Sequence, residues 1–484
     1  MIQKYIAKIV ALLAIIPLLA SCGEDRRHEV DQRQDTQRWI YDTMSNDYYW
    51  YEDIPQEKEL NFFDEPTSFF KKLLSKKDGN GSMKFSYIHK INPTLETRTM
   101  IETNNSYGLE FSAIVRNDNK FTGQCIVLYT LPGSPAEQAG LKRGDIITHI
   151  NGEKLIENQI FGYGNGSLLL GPEIILTINN YLEPTRKITL PASTMVNNDP
   201  LLICKKLEGY KNLGYILYNH FTYGTPEEEE NNKIGYHEGS YLKNMIEQTK
   251  KLQGIEDLIL DLRYNSGGEL NTAGVLTSII CPTHSIEEHL GYLEFNDLRA
   301  KENTKMPTAQ SYLSKTAGVN LNIKNLYVIT GQSTASASEF VINALKPFMN
   351  VHVIGTKTIG KNVGSQGYNK GNWHIQPIVL KIFNSLHESD YSEGFTPGLY
   401  NANSAQNNKE NLSLYNIAEN IPFKELGTPN EPLLNRVLFI RGHNNSRAHT
   451  RGLDSAFNTS NYKLGESSIS VRKTNDLIYK PLND

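Results

Sequence analysis

Two residues far apart in the chain have the types that nucleophilic catalysis needs. Ser336 lies in the small-residue run Gly331-Gln332-Ser333-Thr334-Ala335-Ser336-Ala337, and Lys361 lies in the glycine-rich loop that follows Thr356. A serine hydroxyl is a weak nucleophile until a base takes its proton. A lysine can be that base when burial lowers its pKa from about 10.4 toward 7 or 8. Few charges surround Lys361, and Ala335 and Ala337 leave room for a substrate.

The elements that must position this pair are legible around it. Leu326 to Thr330 reads as a strand, Ser338 to Phe348 as a helix and Val351 to Thr356 as a second strand. A strand–helix–strand unit returns its second strand parallel to the first, so both strands end at one sheet edge, where Ser336 and Lys361 can meet. The helix start offers free backbone N–H groups to an oxyanion. Gly331 to Ala335 is one glycine short of a G-x-S-x-G elbow. That motif makes Ser333 an alternative nucleophile, with Asp390 and His443 as partners.

Thr334 to Glu339, followed about 25 residues later by Gly360-Lys361, resembles the signature of the C-terminal processing peptidases, or tail-specific proteases. The resemblance implies Ser336 as nucleophile and Lys361 as general base. Many members orient the lysine with a glutamine four residues on, a position held here by Ser365 with Gln366 next to it. A second match is the D-L-R-x-N-x-G-G segment Asp261 to Gly268, which implies an oxyanion hole of the Ala337 amide with that of Gly267 or Gly268. Gly394-Phe395-Thr396-Pro397-Gly398 resembles the family's G-F-x-P-D element, with glycine for aspartate. The implied architecture is α+β and multidomain, with a crotonase/ClpP-like α/β catalytic core at about 200–441. Neither metal nor cofactor is expected.

Residues 105–195 resemble a PDZ domain. Ser134-Pro135-Ala136-Glu137-Gln138-Ala139-Gly140-Leu141 has a serine N-cap, a proline at the first helical position and a glycine stop. Asn151-Gly152 closes a hairpin after Ile146 to Ile150. Tyr107-Gly108-Leu109-Glu110-Phe111 corresponds to the loop whose amides receive a peptide's C-terminus while the peptide adds as a strand. Glu110 replaces the usual small residue, and its charge opposes a terminal carboxylate, which points to internal segments or to gating.

Trp39, Ile40, Met44 and Tyr48 recur at helical spacing, and Phe69, Phe70, Leu73 and Leu74 mark another apolar helix face, so residues 36–100 read as a small helical domain. Before it, Lys4 and Lys8 precede an apolar run from Ile9 to Ala20 that is too short to span a bilayer. Leu19-Ala20-Ser21-Cys22 resembles a bacterial lipobox. It implies cleavage before Cys22, a lipid anchor on that thiol, a polar tether over 23–35 and a place in the cell envelope, outside the cytoplasm, most simply on the outer membrane. Cys125, Cys204 and Cys281 have neither disulfide nor metal spacing and read as small buried hydrophobes.

A net charge of −4 with both signs interspersed gives no reason to expect nucleic acid. Residues 442–484 form a polar extension, either partly disordered or added as a strand to an edge. The expected function is an extracytoplasmic serine endopeptidase that cleaves unfolded or C-terminal protein segments, with the PDZ domain binding or gating substrate. The alternative is a PDZ-bearing lipoprotein that binds protein without turnover.

Overall fold

The computed structural model describes residues 27–471 apart from 82, 92–104, 163–165, 181–182, 226–227, 229–234, 403–411 and 443–461. The leader and Cys22 lie outside the described residues, and among those described no helix is long and apolar enough to cross a membrane. The chain is helical from Arg27, within the stretch expected as a tether, because Arg27 to Gln34 has no glycine or proline to interrupt a turn.

Helices α1 (Arg27–Asp47) and α2 (Pro66–Lys72) bury the aromatic stripe. Met44, Tyr48, Phe69 and Phe70 share one core with Phe85. That core continues into Val363, Ile375 and Ile378, so the N-terminal helices pack on the strands beside Lys361. Strand β1 (Tyr87–Lys90) extends the contact by pairing with a later strand, Ile88 opposite Ile375.

The PDZ-like body is an antiparallel sheet of β2 (Leu109–Arg116), β3 (Phe121–Thr130), β4 (Ile146–Ile150), β5 (Ile174–Asn179) and β6 (Arg186–Leu190), paired in that order. Short helices α3 (Pro135–Gln138) and α4 (Glu157–Ile160) lie beside it. The Ser134 hydroxyl caps α3 by accepting from Glu137 N at 3.2 Å.

The body formed by residues from Leu201 to Gly442 is built on a six-stranded sheet. Strands β8 (Leu213–Tyr218), β9 (Asp257–Asp261), β10 (Asn325–Thr330) and β11 (Asn350–Gly355) run parallel in that order. The antiparallel β7 (Leu201–Lys206) flanks β8, and β15 (Gly398–Tyr400) flanks β11. Strand β9 is buried along its whole length, and helices α5 (Ser240–Lys250), α6 (Leu270–Ile280) and α7 (Ala337–Leu345) connect or cover the strands. The expected strand over Trp373 to Phe383 is two strands, β13 (Trp373–Gln376) and β14 (Ile378–Phe383), because Pro377 has no N–H for the ladder. Strand β12 (Val363–Ser365), directly after Lys361, pairs with β14.

An ion network joins the PDZ-like body to the six-stranded sheet. Arg263, which is 1% exposed, donates to Asp261 Oδ2 at 2.7 Å, Glu431 Oε1 at 2.8 Å and Glu419 Oε1 at 2.8 Å. Arg143, from the PDZ-like body, pairs with the same Glu419 and donates to the Tyr264 hydroxyl at 2.6 Å. Helix α8 (Pro432–Gly442) starts one residue after Glu431, whose carboxylate also accepts from Leu434 N. Burial lifts the Glu419 carboxyl, but the two guanidinium groups outweigh it and hold the group at about 2.

A carboxyl depressed on folding adds stability above its unfolded pKa, and that stability is lost as pH falls. Replacing Glu419 by glutamine is expected to cost about 3 kcal/mol at pH 7, and the difference should shrink from pH 4.5 toward 2. Urea unfolding midpoints of both proteins at pH 7 and pH 3 measure it.

Candidate active site

Ser336 stands between β10 and α7 with φ +60° and ψ −116°. Such a backbone is strained for a residue with a Cβ and persists only where its surroundings enforce it. The strained turn that an elbow would place at Ser333 thus occurs three residues later, at Ser336. What enforces it is Glu339 in the first turn of the helix, whose Oε2 accepts from Ser336 N at 2.8 Å. The S-x-x-E spacing of a capping box supplies this contact.

The same carboxylate fixes the lysine loop. Glu339 Oε2 also accepts from Lys361 N at 2.8 Å, and Oε1 accepts from Gly360 N at 2.7 Å and from the Thr358 hydroxyl. The Ser336 and Lys361 backbones therefore meet on one oxygen atom, 25 positions apart in the chain. Ile359 N adds a bond to Thr334 O at 3.0 Å. Burial pushes the Glu339 carboxyl up to about 7, and the donated hydrogen bonds work against that rise.

Both side chains are buried, with Ser336 0% and Lys361 1% exposed. The Ser336 Oγ has no hydrogen-bond partner among the described residues. Lys361 Nζ lies 5.5 Å from the centre of the Phe85 ring, so the N-terminal helical body forms one wall of its pocket. Asn80 Nδ2 donates to Ile359 O at 2.7 Å and anchors that body to the lysine loop.

Around Ser365 the anticipated orienting residues diverge. Ser365 Oγ accepts from Gln376 Nε2 at 3.1 Å, whereas Gln366 turns its Oε1 to Arg299 at 3.4 Å. An amide does reach this place, but from β13, fifteen residues after Lys361 and not four. Gln376 was unreadable in the sequence because its position depends on how β13 and β14 fold back over β12. His374 Nε2 meets Gln376 Oε1 at 2.8 Å and belongs to the same support.

The paired glycines lie against the serine. A Cβ built on Gly267 would come within 2.7 Å of Ser336 Cβ and 3.2 Å of Ala337 N, and one on Gly268 within 2.0 Å of Phe221 O. Both have positive φ, +116° and +132°. Asn265 ties the loop together. Its Oδ1 accepts from Gly267 N at 2.9 Å, its Nδ2 donates to Tyr218 O, and its backbone oxygen accepts from Ala335 N and the Ser338 hydroxyl. The Gly267 amide is therefore committed to Asn265, which favours Gly268 as partner to the Ala337 N–H at the first helical position. Gly267→Ala is expected to reduce peptide hydrolysis at least 100-fold, measured as kcat/KM, since the methyl must displace Ser336.

Asp390, the acid of the alternative triad, pairs with Lys346 at 2.9 Å, and His443 lies outside the described residues. Cys125 and Cys281 are buried and Cys204 is half-buried, all three as free thiols. Among the described residues no cluster of His, Cys, Asp or Glu could hold a metal.

Family models match three parts of the chain: peptidase family S41 over 212–397, the peptidase S41 N-terminal domain over 35–87 and a PDZ domain over 126–159. The chain is 25% identical over 366 residues to the carboxy-terminal processing protease CtpB of Bacillus subtilis, covering 74% of this chain and 65% of that protein. It is 26% identical over 279 residues to a probable CtpA-like serine protease of Staphylococcus epidermidis, covering 56% of this chain and 50% of that one. The chain thus spans between half and two thirds of these relatives' lengths. A crystal structure of a putative S41 protease from Bacteroides fragilis superposes with a TM-score of 0.63 at 28% identity, covering 84% of this chain and 98% of that one. The serine turn, the paired glycines and the lysine loop all lie inside the 212–397 stretch that the peptidase family S41 model matches, with that family's N-terminal domain model and a PDZ domain model matching the chain before it.

Proposed function

We propose that this protein is a serine endopeptidase that cleaves unfolded or C-terminal protein segments through a Ser336–Lys361 dyad. One observation carries the reading: a strained, buried serine with an unbonded Oγ shares a single carboxylate oxygen with the backbone of a buried lysine.

In the reaction, Ser336 Oγ attacks the peptide carbonyl carbon while neutral Lys361 takes its proton. The amides of Ala337 and Gly268 receive the oxyanion. Lys361 then returns the proton to the departing amine, leaving an ester on Ser336. In the second half, Lys361 takes a proton from water, the hydroxide adds to the ester, and the acid product leaves as Ser336 recovers its proton. Ser365, supported by Gln376, orients the lysine. The PDZ domain binds or gates substrate, and Cys22 anchors the chain by a lipid to the cell envelope outside the cytoplasm, on the lipobox resemblance alone.

The unbonded Ser336 Oγ also suits a second reading, in which the chain binds protein without turnover. A peptide library exposed to the unaltered enzyme, Ser336→Ala and Lys361→Ala separates the two. Cleavage by the unaltered enzyme alone supports the peptidase; binding without cleavage by all three supports the second reading.

A further inference from the structure

The edge of the PDZ sheet that follows the peptide-receiving loop is already occupied, by this chain. Strand β16 (Tyr462–Ser467) lies antiparallel on β2, with Tyr462 opposite Arg116, Leu464 opposite Ile114 and Ser467 opposite Ser112. The sheet order is therefore β16-β2-β3-β4-β5-β6, with the tail as its outermost strand. Strand addition next to this loop is how PDZ domains take peptides.

The contacts at the loop are specific. Phe111 N, in the peptide-receiving segment, donates to Ser468 Oγ at 2.9 Å. The same hydroxyl lies 2.6 Å from Glu110 Oε2, to which it donates, and 3.1 Å from Phe111 O. A hydroxyl can donate to Glu110 and accept from Phe111 N together; a terminal carboxylate can only accept, and would face the Glu110 charge. Glu110 is 1% exposed, so that repulsion would be little screened.

The rest of the tail is fitted as well. Ser112 Oγ donates to Gly465 O at 3.2 Å, and a Cβ on Gly465 would come within 2.6 Å of Val115 Cγ1, so this position accepts glycine alone without movement. Ile469 is buried in the apolar cluster that includes Ile114, Ile126 and Tyr264, between the PDZ-like and catalytic bodies.

We infer that the PDZ edge is a binding site for internal polypeptide segments bearing a serine where other PDZ domains take a terminal carboxylate, and that residues 462–469 of this chain are its resident ligand. The inference deepens the proposed function, since a protein substrate reaches this site only by displacing the tail. It also gives Glu110 a role, selecting a hydroxyl against a carboxylate.

The test is a binding titration in which turnover plays no part. The probe is a fluorescein-labelled, amide-capped peptide with the sequence of residues 461–472, followed by anisotropy with full-length protein carrying Ser336→Ala to keep the probe intact. Ser468→Glu in the protein sets two carboxylates together and should expel the tail, so this variant is expected to bind the probe at least 10-fold more tightly than its parent. A probe ending in a free carboxylate at residue 468 should bind at least 10-fold more weakly than the capped one, and Glu110→Gln in the Ser468→Glu protein should narrow that gap. Equal binding of the capped probe by both proteins, or no binding by Ser468→Glu, overturns the inference.

Hydrogen exchange of the unaltered full chain gives an answer even if Ser468→Glu fails to fold. Amides of 462–467 should be protected, and excess capped peptide should release them; unprotected amides there overturn the inference. A chain that binds as described but cleaves nothing would refute the peptidase reading and leave this one standing.

Discussion

Ser336→Ala is expected to lower kcat/KM for peptide cleavage by about 10⁴-fold or more, with residual activity from the amides of Ala337 and Gly268 alone. Lys361→Ala should fall as far, and the double variant should be no worse than either single one, as the proposed dyad requires. The structure supplies the reason for so large an effect. Ser336 is fixed by its own backbone, by Glu339 and by the wall at Gly267, so no neighbouring hydroxyl can take its place. Ser338 is committed to Asn265 O at 3.0 Å and Thr334 to Leu262 O at 2.8 Å. Retention of more than a tenth of the activity in Ser336→Ala contradicts this assignment.

Glu339 should give the second largest effect, on stability and activity together. Removal of the carboxylate in Glu339→Ala leaves the amides of Ser336, Gly360 and Lys361 without their acceptor in a buried site. Unsatisfied buried donors cost about 1–3 kcal/mol each, so a total loss of roughly 3–9 kcal/mol is expected from the three. Hydrolysis should fall with it, since the serine turn and the lysine loop lose their common anchor.

The pH dependence has a definite sign. The folded protein holds the Glu339 proton more tightly than the unfolded chain, with a pKa of about 7 against 4.5. Stability from this group is complete below pH 4.5 and is lost as pH rises toward 7, by about 3 kcal/mol. Glu339→Gln does not titrate. Urea unfolding across pH 4.5 to 8 should show the stability difference between wild type and Glu339→Gln shifting against wild type up to about pH 7, then levelling. A constant difference over that range contradicts the assignment of the shift to Glu339.

The sequence carried much of this site because the fold places it through local pattern. Strand, small-residue turn, helix and strand between residues 325 and 355 follow from periodicity and turn chemistry, and parallel pairing of β10 with β11 brings the loop after each to one edge. The S-x-x-E spacing from Ser336 to Glu339 was legible, although no role was assigned to Glu339 from it. The reach of Glu339 to Gly360 and Lys361 was not legible, since that depends on where the second loop lands. Gln376 and Phe85 contribute from elements remote in sequence, whose neighbours are set by packing of the N-terminal helices on β12 to β14.

The same distinction applies to the charged residues. Asp261 and Arg263 form a buried ion pair, and its further partners Arg143, Glu419 and Glu431 come from two other parts of the chain. A buried ion network has no periodicity for a sequence to display. Nor did the polar tail reveal its docking place: alternation is weak in Tyr462 to Ser467, and only the open edge of β2 makes it a strand.

The most direct measurement is active-site labelling with a fluorophosphonate, followed by mass spectrometry of the adduct. The dyad predicts one modified residue, Ser336, with labelling that is lost in Lys361→Ala while the fold persists. An adduct on Ser333, or undiminished labelling of Ser336 in Lys361→Ala, would contradict it.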